Sequence, residues 1–137
     1  MSYLRNKSEF NFDSAALLIE KDMFAPSVHC SYYSVFQLMK YLYIQIKKIS
    51  YKNLNQNIIS DKRNTHKYLI EEFCLHLQSD SSYKLNRFEV RELKNDIQDL
   101  KQFRLESDYD DIEINYKKST QALRLSESIL KRLKNIL

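Results

Sequence analysis

PSVHCSYYSVFQLMKYLYIQI, residues 26–46, is the stretch whose reading decides the fold. Val28, Tyr32, Val35, Met39, Leu42 and Ile46 recur at alternating steps of four and three, which places them on one face of a helix. Tyr33, Phe36 and Tyr43 widen that face into a band, and Tyr41 and Ile44 carry apolar surface to the opposite side. A helix that is apolar nearly all round must be covered by neighbours. The stretch therefore predicts the central post of a helical bundle. A membrane span is the competing reading. His29, Ser31, Ser34, Gln37, Lys40 and Gln45 interrupt the run, whereas a span needs about 20 mostly apolar residues, so no membrane insertion is expected.

The rest of the composition agrees. The 137-residue chain has no Gly and a single Pro. Strand-rich folds with tight turns draw on Gly for positive φ, so an all-α fold is favoured, and the length suits one domain over residues 1–137. Lys and Arg exceed Asp and Glu by 22 to 18, a net charge of +4. That balance is compatible with a polyanionic partner without requiring one. Cys30 and Cys74 lie inside helical patterns and read as buried thiols of a reduced, cytoplasmic protein. MSYLRNKSEFNF, at the start, lacks the apolar core of a signal peptide.

Around the central helix the chain reads as an up-and-down bundle of about five helices. The first is expected over Asp13–Phe24, capped by Asn11 or Asp13, with Phe12, Ala16, Ile19 and Met23 as its stripe and Ala15 and Ala16 allowing close approach. Pro26 opens the second helix, where a missing N–H costs nothing. Lys47–Asn64 is polar and without clear period, a long connection with at most a helical turn near Leu54–Ile59. A third helix starts at Thr65, a plausible cap, and runs to Gln78 with His66, Leu69, Ile70, Phe73 and Leu77 on one face. SDSSY, residues 79–83, is a turn. The fourth helix covers Lys84–Ser107, its stripe being Leu85, Phe88, Leu93, Ile97, Leu100 and then Arg104, before an acidic break at Ser107–Asp111. The last covers Ile112–Ile136, with Ile112, Tyr116, Ser119, Leu123, Ser126, Leu130, Leu133 and Leu137 as its seam. Its basic residues fall largely off that seam, as a solvated face would have them.

Three groups of residues could carry chemistry. Arg104 stands where the stripe calls for an aliphatic side chain, and Asp108 is four residues on. The two could form an internal ion pair, or Asp108 could orient a guanidinium that grips a phosphate beside Tyr109. His66 sits in the first turn of its helix, flanked by Lys62, Arg63 and Lys67. It could be structural, or it could be a base kept neutral by cationic surroundings. His29-Cys30 with Cys74 and His76 offer zinc-type donors, but each pair is adjacent or two apart on a helix and splays across faces, so no metal site is expected. Without Gly there is no Gly-rich phosphate loop.

The order of these pieces resembles the HEPN superfamily of small helical-bundle proteins, in particular small bacterial members with a Tyr-Tyr central helix. The resemblance rests on Ala15-Ala16-Leu17-Leu18, on His29-Cys30-Ser31-Tyr32-Tyr33-Ser34-Val35-Phe36, on His66 with Phe73, and on Arg104, Ser107, Asp108, Tyr109 and Asp110, which match an Arg-x-x-small-Asp-Tyr-Asp element. It implies a five-helix bundle that homodimerises around a shared cleft. It also implies RNA or nucleotide binding and, for catalytic members, metal-independent RNase activity, often in a toxin–antitoxin pair with a nucleotidyltransferase-fold partner. Those enzymes place His four to six residues after the Arg. Here Tyr109 stands in that range, and a phenol of pKa about 10 is a poor base at neutral pH. Catalytic residues are accordingly left open. The binding candidates are Arg104, Asp108, Tyr109, His66 and Arg63, and no cofactor is expected.

Overall fold

In the computed structural model, which describes residues 2–80 and 82–136, the chain forms six helices: α1 (Leu4–Glu20), α2 (Phe24–Lys47), α3 (Tyr51–Ser60), α4 (Thr65–Ser79), α5 (Arg87–Tyr109) and α6 (Tyr116–Lys134). There is no strand among the described residues. Helix α2 is the centre of the bundle, touching α1, α4, α5 and α6. Its expected face is buried as read, with Val28, Val35 and Met39 wholly enclosed and Tyr32, Leu42, Phe36 and Tyr43 nearly so. No described helix is long and apolar enough to cross a membrane.

Helix α1 begins nine residues before the expected Asp13, at Leu4, and ends at Glu20, short of Phe24. Its inward residues are Leu4, Ser8 and Ala15, with Phe12 partly buried between them. A serine fills one step of the stripe, which hides the period from a hydropathy reading. The Ser8 hydroxyl is spent on the facing helix, donating to the Ser34 carbonyl at 2.6 Å, and Ser27 Oγ donates to the Ala15 carbonyl at 2.7 Å. Small residues let the two backbones approach closely enough for these bonds. Neither expected cap is one. The N-cap position is Tyr3, with no side-chain cap bond, and Asn11 lies inside the helix, bonded to the Lys7 carbonyl. Met23, expected on the stripe, is exposed.

Two turns deliver α2 into the core and lead out of it. At the end of α1, Met23 N–H reaches back to Leu18 O and Asp22 N–H to Ile19 O; at the end of α2, Ile49 N–H reaches Ile44 O and Lys48 N–H reaches Gln45 O. Both are Schellman motifs. The left-handed residue in each is Asp22 (φ 56°) or Lys48 (φ 54°), where glycine is the usual occupant. Pro26 falls in the first turn of α2 rather than at its start, still where no intrahelical donor is needed.

The polar segment after α2 is not a loop. Ser50 accepts a bond from Asn53 N–H and starts α3, which buries Leu54 fully and Ile58 partly. One inward position per turn is enough for a short peripheral helix. Lys40 of α2 is 9% exposed and ties α3 down, its Nζ donating to Tyr51 Oη at 3.2 Å and lying 4.6 Å from the ring centre.

Helix α4 keeps its expected face, although Asn64, not Thr65, is the cap. Helix α5 starts at Arg87 behind an Asn86–Glu89 capping box. Phe88 is exposed, and Val90 takes its place on the stripe, so that Val90, Leu93, Ile97, Leu100 and Arg104 recur at steps of three and four. The helix runs two residues beyond the expected Ser107, into the acidic break, and ends at Tyr109. Helix α6 is capped by Asn115 and starts at Tyr116 rather than Ile112, which is exposed, as is Tyr116. Ser119, Ala122, Ser126, Ile129, Leu130 and Leu133 form its buried seam; Leu123 is only partly buried, and Leu137 lies outside the described residues. Of the SDSSY turn, Ser81 also lies outside them.

The close α1–α2 contact generates a test. Ala15→Leu adds three carbons where the side chain is wholly enclosed, and overpacking of this kind costs about 1–3 kcal/mol. A urea titration should show a lower midpoint than that of Ala16→Leu, where the position is only partly buried.

Candidate functional site

Arg104 occupies an aliphatic position of α5 and is 8% exposed. A buried guanidinium must be satisfied on its nitrogens. Nε donates to Asp108 Oδ2 at 2.9 Å, one turn on along the same helix, and Nη2 donates to Tyr33 Oη at 3.1 Å. Nη1 has no hydrogen-bond partner among the described residues and is not sealed from solvent. The guanidinium carbon lies 5.2 Å from the Tyr33 ring centre and 5.6 Å from those of Tyr32 and Tyr109. Tyr109 is 71% exposed, so one wall of this aromatic cage faces water.

Asp108 sits in the last turn of α5, where the helix dipole disfavours an anion. Two donors offset that. Besides Arg104, His29 of α2 donates from Nδ1 to the same Oδ2 at 2.8 Å. A carboxylate only accepts, which fixes the proton on His29 Nδ1. The His29 ring also lies 4.6 Å from the Tyr33 ring. The α5 terminus is thereby tied to the α2 face that begins with His29.

His66 enters from the first turn of α4. Its ring stacks on Phe36 at 4.3 Å and on Tyr32 at 5.5 Å, and meets the edge of Tyr33 at 5.8 Å. Arg104 and His66 thus share two tyrosines. Burial holds the His66 imidazole down to about 4, helped by Arg104, Lys101 and Lys40. None of these three cations flanks it in sequence; they come from α5 and α2. The ring is neutral at pH 7, and its tautomer follows from one bond. Tyr32 Oη and His66 Nδ1 are 2.7 Å apart. Tyr32 is 1% exposed, and burial pushes its phenol well above the ordinary range, Arg104 opposing and Tyr33 adding, so it keeps its proton. That proton has no other acceptor among the described residues. Leaving it unpaired would cost about 1–3 kcal/mol. Tyr32 therefore donates to Nδ1, and His66 carries its hydrogen on Nε2. The lone pair that a general base would use is occupied, and the free edge is a donor.

Arg63 belongs to a different arrangement. Its guanidinium donates to Asp61, Glu71 and Glu72 at 2.6–3.0 Å and lies 5.0 Å from the Tyr68 ring centre. All its charge is directed into that clamp, which fastens the start of α4. The structure thus brings Arg104, Asp108, Tyr109 and His66 into one cluster and leaves Arg63 outside it. The zinc-type donors also have other partners, His29 with Asp108 and His76 with Tyr83 at 3.1 Å. Among the described residues there is no group of three metal-ligating side chains.

The family model for the HEPN domain matches residues 1–136. The chain belongs to the HEPN family. No curated protein and no solved structure matches it. The HEPN assignment agrees with the all-helical bundle and with the element spacing read from the sequence; the bundle has six helices because the segment after α2 is itself helical.

The depressed His66 pKa has a consequence for stability. The unfolded imidazole takes a proton near pH 6.5 and the folded one near pH 4. Between these values the unfolded state binds more protons, so stability is complete above about pH 6.5 and falls as the pH drops towards 4. Because the ring is partly solvated, the loss is discounted to about 1–2 kcal/mol. Thermal melts at pH 7.5 and 5.0 should show a smaller acid shift for His66→Gln than for wild type; equal shifts would contradict the assignment.

Proposed function

We propose that this HEPN protein binds RNA or a nucleotide, with Arg104 contacting a phosphate, Asp108 orienting the guanidinium and Tyr109 offering a face for a base. The observation that carries the reading is the state of Arg104. Two of its nitrogens are fixed by protein acceptors, while the third has no partner among the described residues and is not sealed from solvent. A guanidinium held this way is pre-organised for a phosphate oxygen. The exposed Tyr109 ring at its rim suits stacking, worth about 1–3 kcal/mol per base. His66 supports the same reading, because the Nε2–H edge is a donor aimed by its bond to Tyr32 rather than a base.

The protein acts as a cytoplasmic homodimer with this end of the bundle at the interface, and possible companions include a nucleotidyltransferase-fold protein of a toxin–antitoxin pair. Support comes from exposed apolar side chains at that end. Tyr109, Ile112 and Tyr116 surround the α5–α6 connection, with Met23 on the α1–α2 turn, and Phe24 meets Tyr116 edge-on at 6.1 Å, which brings the two turns together. A metal-independent ribonuclease using His66 as base is the second reading. It draws on the closeness of His66 to Arg104 and is opposed by the tautomer.

Fluorescence anisotropy with short labelled oligoribonucleotides at fixed salt tests the first reading. Arg104→Ala should weaken binding at least tenfold, and Tyr109→Ala severalfold, with circular dichroism confirming the fold of each. Equal affinity of Arg104→Ala and wild type removes the site. RNA cleavage by wild type in the presence of chelator, lost in His66→Gln, would replace it with the second reading.

A further inference from the structure

Helix α2 meets Arg104 at Tyr33 and reaches Ile44 about 16 Å farther along its axis, at about 1.5 Å per residue. At that far end the start of α1, the end of α2 and the start of α3 border a cavity of about 500 Å³, within the size range of small-molecule sites. Its floor is apolar. Leu4 is buried there, and Ile44 and Ile49 pack against the core. The exposed rings of Tyr3 and Tyr51 line it too, together with Lys7. No Asp or Glu is among the described residues around it.

The polar groups here are biased towards one sign. Neither Lys7 nor Lys40 has a carboxylate within ion-pair distance among the described residues. Lys40, which is 9% exposed, donates from Nζ to the Tyr51 hydroxyl at 3.2 Å. A phenol that accepts must still place its own proton, and no described residue accepts it. Accepting one bond also strengthens the one that the hydroxyl donates. The bond from Lys40, then its charge, hold the Tyr51 phenol below its usual range, with Asn55 and Lys7 adding and burial opposing. Both ammoniums are therefore within electrostatic reach of the phenolic oxygen.

We infer that this cavity is a binding site for a small amphipathic monocarboxylate, its carboxylate held by Lys7 and the Tyr51 hydroxyl and its apolar body laid over Leu4, Ile44 and Ile49. Charge complementarity selects the anion, since the cavity offers donors and cations and no acid. The apolar floor selects the body, which removes that surface from water. Lys40 acts as a positioning residue, fixing the phenol from behind. A neutral amphiphile leaves Lys7 to water, and a short carboxylate leaves the floor wet. Aliphatic and aromatic bodies share this chemistry, and the test separates them. The site stands apart from the reading of Arg104.

The test is isothermal titration calorimetry at fixed salt with octanoate, 4-phenylbutyrate, octan-1-ol and acetate. Wild type should take up octanoate or 4-phenylbutyrate at one per chain, the tighter of the two naming the body. Octan-1-ol and acetate should bind about tenfold more weakly or worse. Lys7→Gln should lower the affinity for the carboxylates about tenfold and leave octan-1-ol unchanged, and Lys7→Arg should retain binding. Tyr51→Phe, which keeps the ring and removes the donor, should lose about fivefold. Circular dichroism confirms the fold of each variant. Lys131→Gln, in the groove between α1 and α6, is the control for bulk charge and should bind as wild type does. So should Arg104→Ala, which lets this site and the Arg104 site fail separately. Equal affinity for octanoate and octan-1-ol, an equal loss in Lys7→Gln and Lys131→Gln, or no saturable heat from either carboxylate overturns the site.

Discussion

A helix with apolar side chains on nearly every side leaves the remaining chain no option but to surround it. Helix α2 imposes that constraint through Val28, Tyr32, Val35, Met39 and Leu42, and four of the other helices lie against it. The same helix carries polar atoms at chosen points of its surface. Ser27 and Ser34 exchange bonds with α1, Lys40 holds α3, and His29, Tyr32 and Tyr33 meet α4 and α5. The core helix is thus also the frame of the site. Because its aromatic residues are fixed by burial, the groups they touch inherit that rigidity, which is what a binding constellation needs.

The electrostatics of the site follow from the same burial. A lone guanidinium in an apolar position would be costly, yet Arg104 is shared between a carboxylate, a phenol and three aromatic faces. Asp108 stands at an unfavourable helix end and is held by two donors from different helices. His66 is kept neutral by its surroundings, and its proton is placed by a tyrosine that the hydropathy pattern counts simply as core. Arg104 and His66 are therefore oriented by tyrosines that also pack the core.

Much of this was legible in the chain because helix periodicity is a local signal. The post at α2, the faces of α4 and α5, and the misfit of Arg104 on the α5 stripe could all be read from spacing. Residues that pack through hydroxyls were not. Ser8 conceals the inner face of α1, and α3 turns only Leu54 and Ile58 of a polar run inward. Partners remote in sequence were also missed. The local sequence around His29 offers a metal donor and gives no sign of Asp108, 79 residues away, to which it bonds. Tyr33 lies in an apolar band of the sequence, and the bond its hydroxyl accepts from Arg104 has no local trace. Arg63 illustrates the converse: a basic cluster in sequence became a clamp once three carboxylates folded around it.

The left-handed residues at the two ends of the central helix give the molecule an uneven resistance to opening. Asp22 and Lys48 adopt a backbone shape that side chains with a Cβ disfavour by about 1–2 kcal/mol, and the chain contains no glycine to relieve it. Those corners keep their geometry only while α2 is seated among its neighbours. Loosening of that helix would release them early, so the amide hydrogens of Asp22, Met23, Lys48 and Ile49 are natural reporters of partial unfolding. The restraint that makes the corners costly in the native state also narrows the wanderings of the denatured chain. A chain built this way gives up local ease at two points and gains a smaller space to search on its way back.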